Sequence, residues 1–226
     1  MENAAQSTRH NVYALIHKAM RLQMAEALTV LGRLDATDAQ EVSDVLVRVR
    51  ELLEFCRHHL ETENALVHPA LEARRAGSTA RITNEHVGHA AAIAALTQKA
   101  EALARAPAAS RAAVASELYG ELACFVGENL VHMHEEETEH NRVLWDNYTD
   151  AELVALENGI KARHTPEEMR YVMRWMLPAM SPLERAGLFT AMRRAAPPPV
   201  FASIVEIARA HVDADGLRKL ETALAA

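Results

Sequence analysis

Twelve histidines occur in the 226 residues, ten of them before residue 141. Two are followed by a carboxylate four positions on, in His59-Leu-Glu-Thr-Glu63 and His132-Met-His-Glu-Glu136. On a helix that spacing puts both side chains of a pair on one face. A glutamate can bridge two metal ions through its two oxygens, and neutral imidazole suits the first-row transition metals. Two such pairs, joined by the single histidines His17 and His86, are the donors a dinuclear centre needs. A His-rich, carboxylate-bridged set points to iron, with manganese or zinc behind it. Burying four imidazoles and two carboxylates together without a compensating charge would cost several kcal/mol, on the order of the penalties measured for unpaired buried ions.

The elements that must carry these residues read as helices. Half of the residues are hydrophobic but only 4% are aromatic. Ala and Leu dominate over Val and Ile, which favours helices over sheets. Apolar residues recur at three and four spacing from Val12 to Leu34, with Ser7 or Thr8 as a cap and Gly32 with Asp35 to Asp38 at the exit. A second run starts near Ala39, passes Pro69 and breaks at Gly77-Ser78. A third runs from about Thr79 to before Pro107, and a fourth from about Ser110 to Trp145. Short connections imply antiparallel neighbours. The expectation is an all-α, up-and-down antiparallel four-helix bundle over residues 1–149. A C-terminal helical extension over 150–226, packed on the bundle, is expected as four shorter pieces set off by Pro166, Pro178, Pro182 and Pro197 to Pro199. Ser181 and Glu184 form a capping box there.

Counting residues from each turn tests whether the donors share a level, since a helix rises ~1.5 Å per residue. From a turn near residue 36, His17 lies 19 back and His59 23 forward; from one near 107, His86 lies 21 back and His132 25 forward. From residue 78 the count fails, with His59 19 back and His86 only 8 forward. The expectation is that Pro69 ends the bundle part of its helix or bends it off axis.

This ordered set, one His, then HxxxE, then one His, then HxxxE, resembles the hemerythrin HHE cation-binding family over roughly residues 7–148. The segment Glu63-Asn-Ala-Leu-Val-His-Pro69 fits the family context. The resemblance implies two non-haem iron ions held by His17, His59, Glu63, His86, His132 and Glu136, with the glutamates bridging, and a small-molecule ligand: O2, peroxide or nitric oxide. Oxygen carriers of the family have a second histidine four after the first on the third helix, where this chain has Ala90, and an Asp five after the last histidine, where this chain has Glu136 after four. Fewer protein ligands leave more open positions, which favours reaction with these molecules over reversible carriage. An alternative is an oxygen, iron or redox sensor whose C-terminal helices signal to a partner.

Plainer readings stand beside each of these. The four histidines could be core residues satisfied by backbone or carboxylates. His89, three after His86, is a further ligand or a neighbour that fixes one. His10 and His140 could meet as a proton relay or be partly exposed. Tyr13 reads as a core residue or a donor to a metal-bound oxygen species. His58, His68 and His134 read as lying off the inward face. The run His134 to His140 is no zinc protease motif, because HExxH needs histidine where Thr138 stands. The methionines between 169 and 192 fill core or line a partner groove.

Charge narrows the classes. The net charge is -7, and the acid excess lies in residues 1–163, which argues against nucleic acid. Cys56 and Cys124 have no paired spacing and read as buried thiols in a reducing compartment. No apolar run reaches the ~20 residues of a membrane span and the N-terminus lacks a signal pattern, so the expectation is a cytoplasmic protein without a membrane partner. A homodimer or a protein partner is left open.

Overall fold

The computed structural model describes residues 9–225, and every regular element among them is helical. Ser7 and Thr8, the caps expected for the first helix, lie outside the described residues. In chain order the helices are α1 (Ala14–Gly32), α2 (Ala39–Thr62), α3 (His68–Arg74), α4 (Ala80–Arg105), α5 (Ala108–Glu135), α6 (Asn141–Asn147), α7 (Asp150–Ala162), α8 (Pro166–Ala179), α9 (Pro182–Ala195), α10 (Pro198–His211) and α11 (Ala214–Ala225). Among the described residues no helix is long and apolar enough to cross a membrane.

Two joins are not loops. Glu63–Val67 between α2 and α3, and Glu136–His140 between α5 and α6, are single π-helical turns. Each inserts about one extra residue into an otherwise continuous helix. At the first, the His68 N–H reaches back five residues to the Glu63 carbonyl. Pro69, which lacks an N–H, then sits in the first turn of α3, where none is needed. So Pro69 neither ends the helix nor carries the interruption, which comes at Glu63, and the helix runs on to Arg74.

The chain divides into two compact units. One is the residues up to Tyr13 with Met24–Ile160; the other is Ala14–Gln23 with Lys161–Ala226. In the first, α4 packs along both α2 and α5. Val49, Leu52, Ile82, Leu96, Leu118 and Leu122 are buried there at one-in-three-or-four spacing. Asp38 starts α2 by accepting from the Gln40 and Glu41 N–H groups. Gly77, at φ +79°, makes the turn into α4 that an L side chain would resist. A smaller cluster of Tyr13, Val67, Leu71, Val143, Leu144 and Leu153 packs beside the two π turns. Arg9 fastens the chain leading to Tyr13: Nε donates to Asp150 at 2.7 Å, and the two terminal nitrogens to the Trp145 and Tyr148 carbonyls at 2.8 and 2.6 Å.

In the second unit, Met173, Leu177, Met180, Phe189, Ile204 and Leu220 form a core of their own, joined by Leu15 of α1. The methionines here fill core. Capping boxes Thr165/Glu168 and Ser181/Glu184 start α8 and α9. Arg185 is buried and donates to three carbonyls, those of Leu177, Met180 and Gly216. The extension has five helices, not four. Pro178 sits within α8 without breaking it, and the last expected piece divides at Asp213, whose carboxylate accepts from the Gly216 N–H. Cys56 is buried as expected, but Cys124 is exposed, on the outer side of α5.

Candidate metal centre

The HxxxE spacing does what an α-helix requires of it. At the end of α2, His59 Nε2 lies 3.1 Å from Oε1 of Glu63, the first residue of the π turn; at the end of α5, His132 Nε2 lies 3.4 Å from Oε1 of Glu136, the first residue of the other. His86 enters from α4 with its Nε2 3.6 Å from Glu63 Oε2, 3.8 Å from Glu136 Oε1 and 3.1 Å from His132 Nε2. Donor atoms of Glu63, His86, His132 and Glu136 all fall within 4.8 Å of one another, and so do those of His59, Glu63 and Glu136. The two oxygens of Glu63 therefore face different imidazoles.

The outer nitrogens explain why the inner ones face each other. His86 Nδ1 lies 2.8 Å from Asn64 Oδ1, and His132 Nδ1 lies 2.9 Å from Glu85 Oε2. With an oxygen acceptor at Nδ1, a proton stays there and Nε2 is the nitrogen turned inward, where it presents a lone pair once it has lost any proton of its own, the usual arrangement behind a metal-binding imidazole. Glu85 is itself held by Arg81, at 3.3 Å, and Arg81 also pairs with Glu135. Neither Asn64 nor Glu85 was singled out from sequence. Each is the immediate neighbour of a predicted donor, which is the only signal available.

Burial and charge shape the titrations. Glu63 and Glu136 are 3% and 0% exposed. Burial pulls the His132 imidazole down, but the carboxylates of Glu136 and Glu85 outweigh it and bring it up to about 8. His89 is driven down to about 4 by burial and by the His132 and His86 rings. It joins none of the donor groups among the described residues; its ring lies edge-on to His132 at 4.7 Å and against Phe125 at 6.0 Å. His89 thus packs behind a donor. Tyr13 is buried, with its hydroxyl 3.2 Å from His140 Nδ1, and burial with Glu136 and Glu63 raises its pKa well above the phenol range. His10 lies 2.9 Å from Glu157 and His58 3.4 Å from Glu54, while His134 is exposed.

His68 corrects the sequence reading. Rather than lying off the inward face, it is 6% exposed and stacks on His86 with ring centroids 4.7 Å apart. Five residues after Glu63, it would be turned well away in an α-helix, but the π turn absorbs one residue and brings it round. Counted from Gly77, His68 and His86 are each nine residues away, so His68 is the level partner that His59 failed to be. Burial and the His86 ring drive the His68 imidazole down to about 4. His17 is 0% exposed, on the stretch of α1 counted with the second unit.

A family model for the hemerythrin HHE cation-binding domain matches residues 10–142. The chain belongs to that family. The match begins before α1 and ends in α6, so it takes in all six residues of the HHE pattern and both π turns. No curated protein and no solved structure matches the chain. As an HHE domain the chain binds cations, and the buried imidazole and carboxylate cluster suits a hard-to-borderline divalent ion such as iron.

Beside the cluster lies a cleft of about 520 Å³ between α2–α3 and α4, lined by Leu60, Asn64, His68, Thr83, His86 and Ala90 among others. Ala90, where carriers of the family place a histidine, leaves this side of His86 open.

Proposed function

We propose that the protein is a non-haem di-iron protein that binds or reacts with O2, peroxide or nitric oxide, in a four-helix up-and-down bundle of α1, α2–α3, α4 and α5–α6. His17 and His59 would hold one iron and His86 and His132 the other, with Glu63 and Glu136 as the carboxylates shared between them. The observation that carries this reading is the convergence of His86 and His132 Nε2 on the two glutamates while Asn64 and Glu85 hold both Nδ1 atoms outward. His17 is included because its ionisable ring is fully buried and it is the first histidine of the family pattern.

Two irons in such a site supply open coordination positions and one-electron chemistry. The chain's own residues do the rest. Glu85 and Asn64 fix the rings, so little reorganisation accompanies binding. The cleft past Ala90 admits a diatomic molecule, and the apolar residues Tyr13, Val67 and Leu71 beside the π turns keep bulk water from the other side. The six-residue set and the alanine at 90 favour reaction over stable carriage.

The test is the visible spectrum of the iron-loaded, reduced protein on addition of O2, peroxide and nitric oxide in separate cells. A new band with at least one of the three, absent from Glu63→Ala protein, supports the reading. Unchanged spectra with all three would refute it.

A further inference from the structure

Both π turns deliver an imidazole that the HHE pattern does not use. The first is followed at once by His68, and the second ends on His140. Glu136, the first residue of the second turn, has donor atoms within 4.8 Å of both. This group excludes Glu63, His59, His86 and His132, so it is a separate convergence on one side of Glu136.

The two rings are built in the same way. His140 is 2% exposed, with Nδ1 against the Tyr13 hydroxyl at 3.2 Å; His68 is 6% exposed, with Nδ1 against the Thr83 hydroxyl at 3.4 Å. His68 Nε2 is buried and has no hydrogen-bond partner among the described residues, and His140 Nε2 is buried without a side-chain partner, the Ser78 backbone lying close to its ring. The rings meet edge to face with centroids 5.7 Å apart. Buried polar nitrogens are nearly always satisfied in folded proteins, and one left bare beside another without a side-chain partner marks a missing group. Since a hydroxyl can accept from Nδ1–H, each Nε2 can present its lone pair, which is how a ligating histidine is set up by its neighbour.

We propose that His68, His140 and Glu136 form a third cation position beside the dinuclear centre, taking a divalent first-row ion. Two neutral imidazoles and one carboxylate, with coordination positions left over, suit iron(II) and its neighbours rather than calcium or magnesium. The position depends on the di-iron reading only through Glu136, which both share. Thr83 and Tyr13 position the rings and do not bind the ion.

Crystals of the full chain grown with excess Co2+, examined by anomalous diffraction, test this without any variant. The expected result is a peak about 2.1 Å from Nε2 of both His68 and His140. Elemental analysis of Co2+-saturated protein is expected to lose one ion per chain in the His68→Leu/His140→Leu double variant. A map with peaks at His86 and His132 but none at His68 and His140 overturns the third position and leaves the pair standing. A map with no peak in any of these places overturns both. A peak at His68 and His140 alone supports the third position and removes the dinuclear reading.

Discussion

Replacing Glu85 by alanine isolates the claim that ring orientation, and not the donors alone, makes the centre. Glu85 touches no other predicted donor; it holds His132 Nδ1 at 2.9 Å and is about a third exposed at 34%. Its pairing with Arg81 is near the surface and adds little to stability. The fold should survive. Losing an outer partner of a metal-bound imidazole typically lowers affinity about 10–100-fold, or roughly 1.4–2.7 kcal/mol. A second effect opposes this. In the metal-free protein His132 titrates near 8, so at pH 7 an ion must displace a proton from it, costing about tenfold in affinity. Glu85 contributes to that elevation after Glu136, so Glu85→Ala relieves part of the competition. The loss should therefore be blunted at pH 7 and full at pH 9. Titration of Co2+ into metal-free protein against a chromophoric chelator, at both pH values, measures it. Glu135→Ala, which disturbs Arg81 but no donor, is the control. Affinity within twofold of wild type at pH 9, in folded Glu85→Ala protein, would refute the orientation argument.

Three further outcomes are expected. Glu63→Ala removes the carboxylate that faces both His59 and His86, and elemental analysis should show tightly held iron falling below one per chain; retention of two would contradict a bridging role. His68 and His89 are held near 4 against an ordinary value of 6.5. A folded state that resists protonation loses stability as pH falls from 6.5 through 4, on the order of 2 kcal/mol per histidine, and urea unfolding of metal-free protein at stepped pH should show it; flat stability across that window would count against the burial of both rings. Arg185→Met strips three buried carbonyls of their donor, and chemical unfolding monitored in the C-terminal unit should lose about 2–4 kcal/mol, whereas a change below ~0.5 kcal/mol would show the arginine to be dispensable.

Much of the centre was legible because i to i+4 spacing in an α-helix is a fixed geometry. His59 with Glu63 and His132 with Glu136 needed nothing else, and the apolar face of its helix, shared with Ile82, Ile93 and Leu96, carried His86. Legibility stopped at Glu63 and Glu136, where the π turns begin. A π turn has no composition of its own, so the α-helical phase placed His68 outward when it lies inward against His86. Pro69 is the one visible trace, and from sequence it reads as the cause of an interruption that starts six residues earlier. His140 escaped the same error because it lies within its turn and not beyond it.

Elsewhere, misreadings came from local signals weaker than the tertiary context. Pro178 lies in the final turn of α8 and does not break it, so the helix forfeits a single backbone bond near its end. The break at Asp213 is marked only by a capping carboxylate, a signal too common to act on alone. Cys124 sits between Leu122 and Phe125, both buried, and its exposure follows once those residues are placed inward. That residues 14–23 of α1 count with the C-terminal unit depends on side chains such as Leu15 and Lys18, the latter 2.6 Å from Glu184, partners more than 150 residues away in sequence.

The most direct test of the central claim is the Mössbauer spectrum of protein loaded with ⁵⁷Fe and then oxidised. Two irons bridged by Glu63 and Glu136 predict a magnetically coupled pair, seen as quadrupole doublets that persist at liquid-helium temperature in a weak applied field, lost together in Glu63→Ala protein. Iron present only as uncoupled, magnetically split ferric ions, or iron that fails to bind at all, would contradict the dinuclear centre.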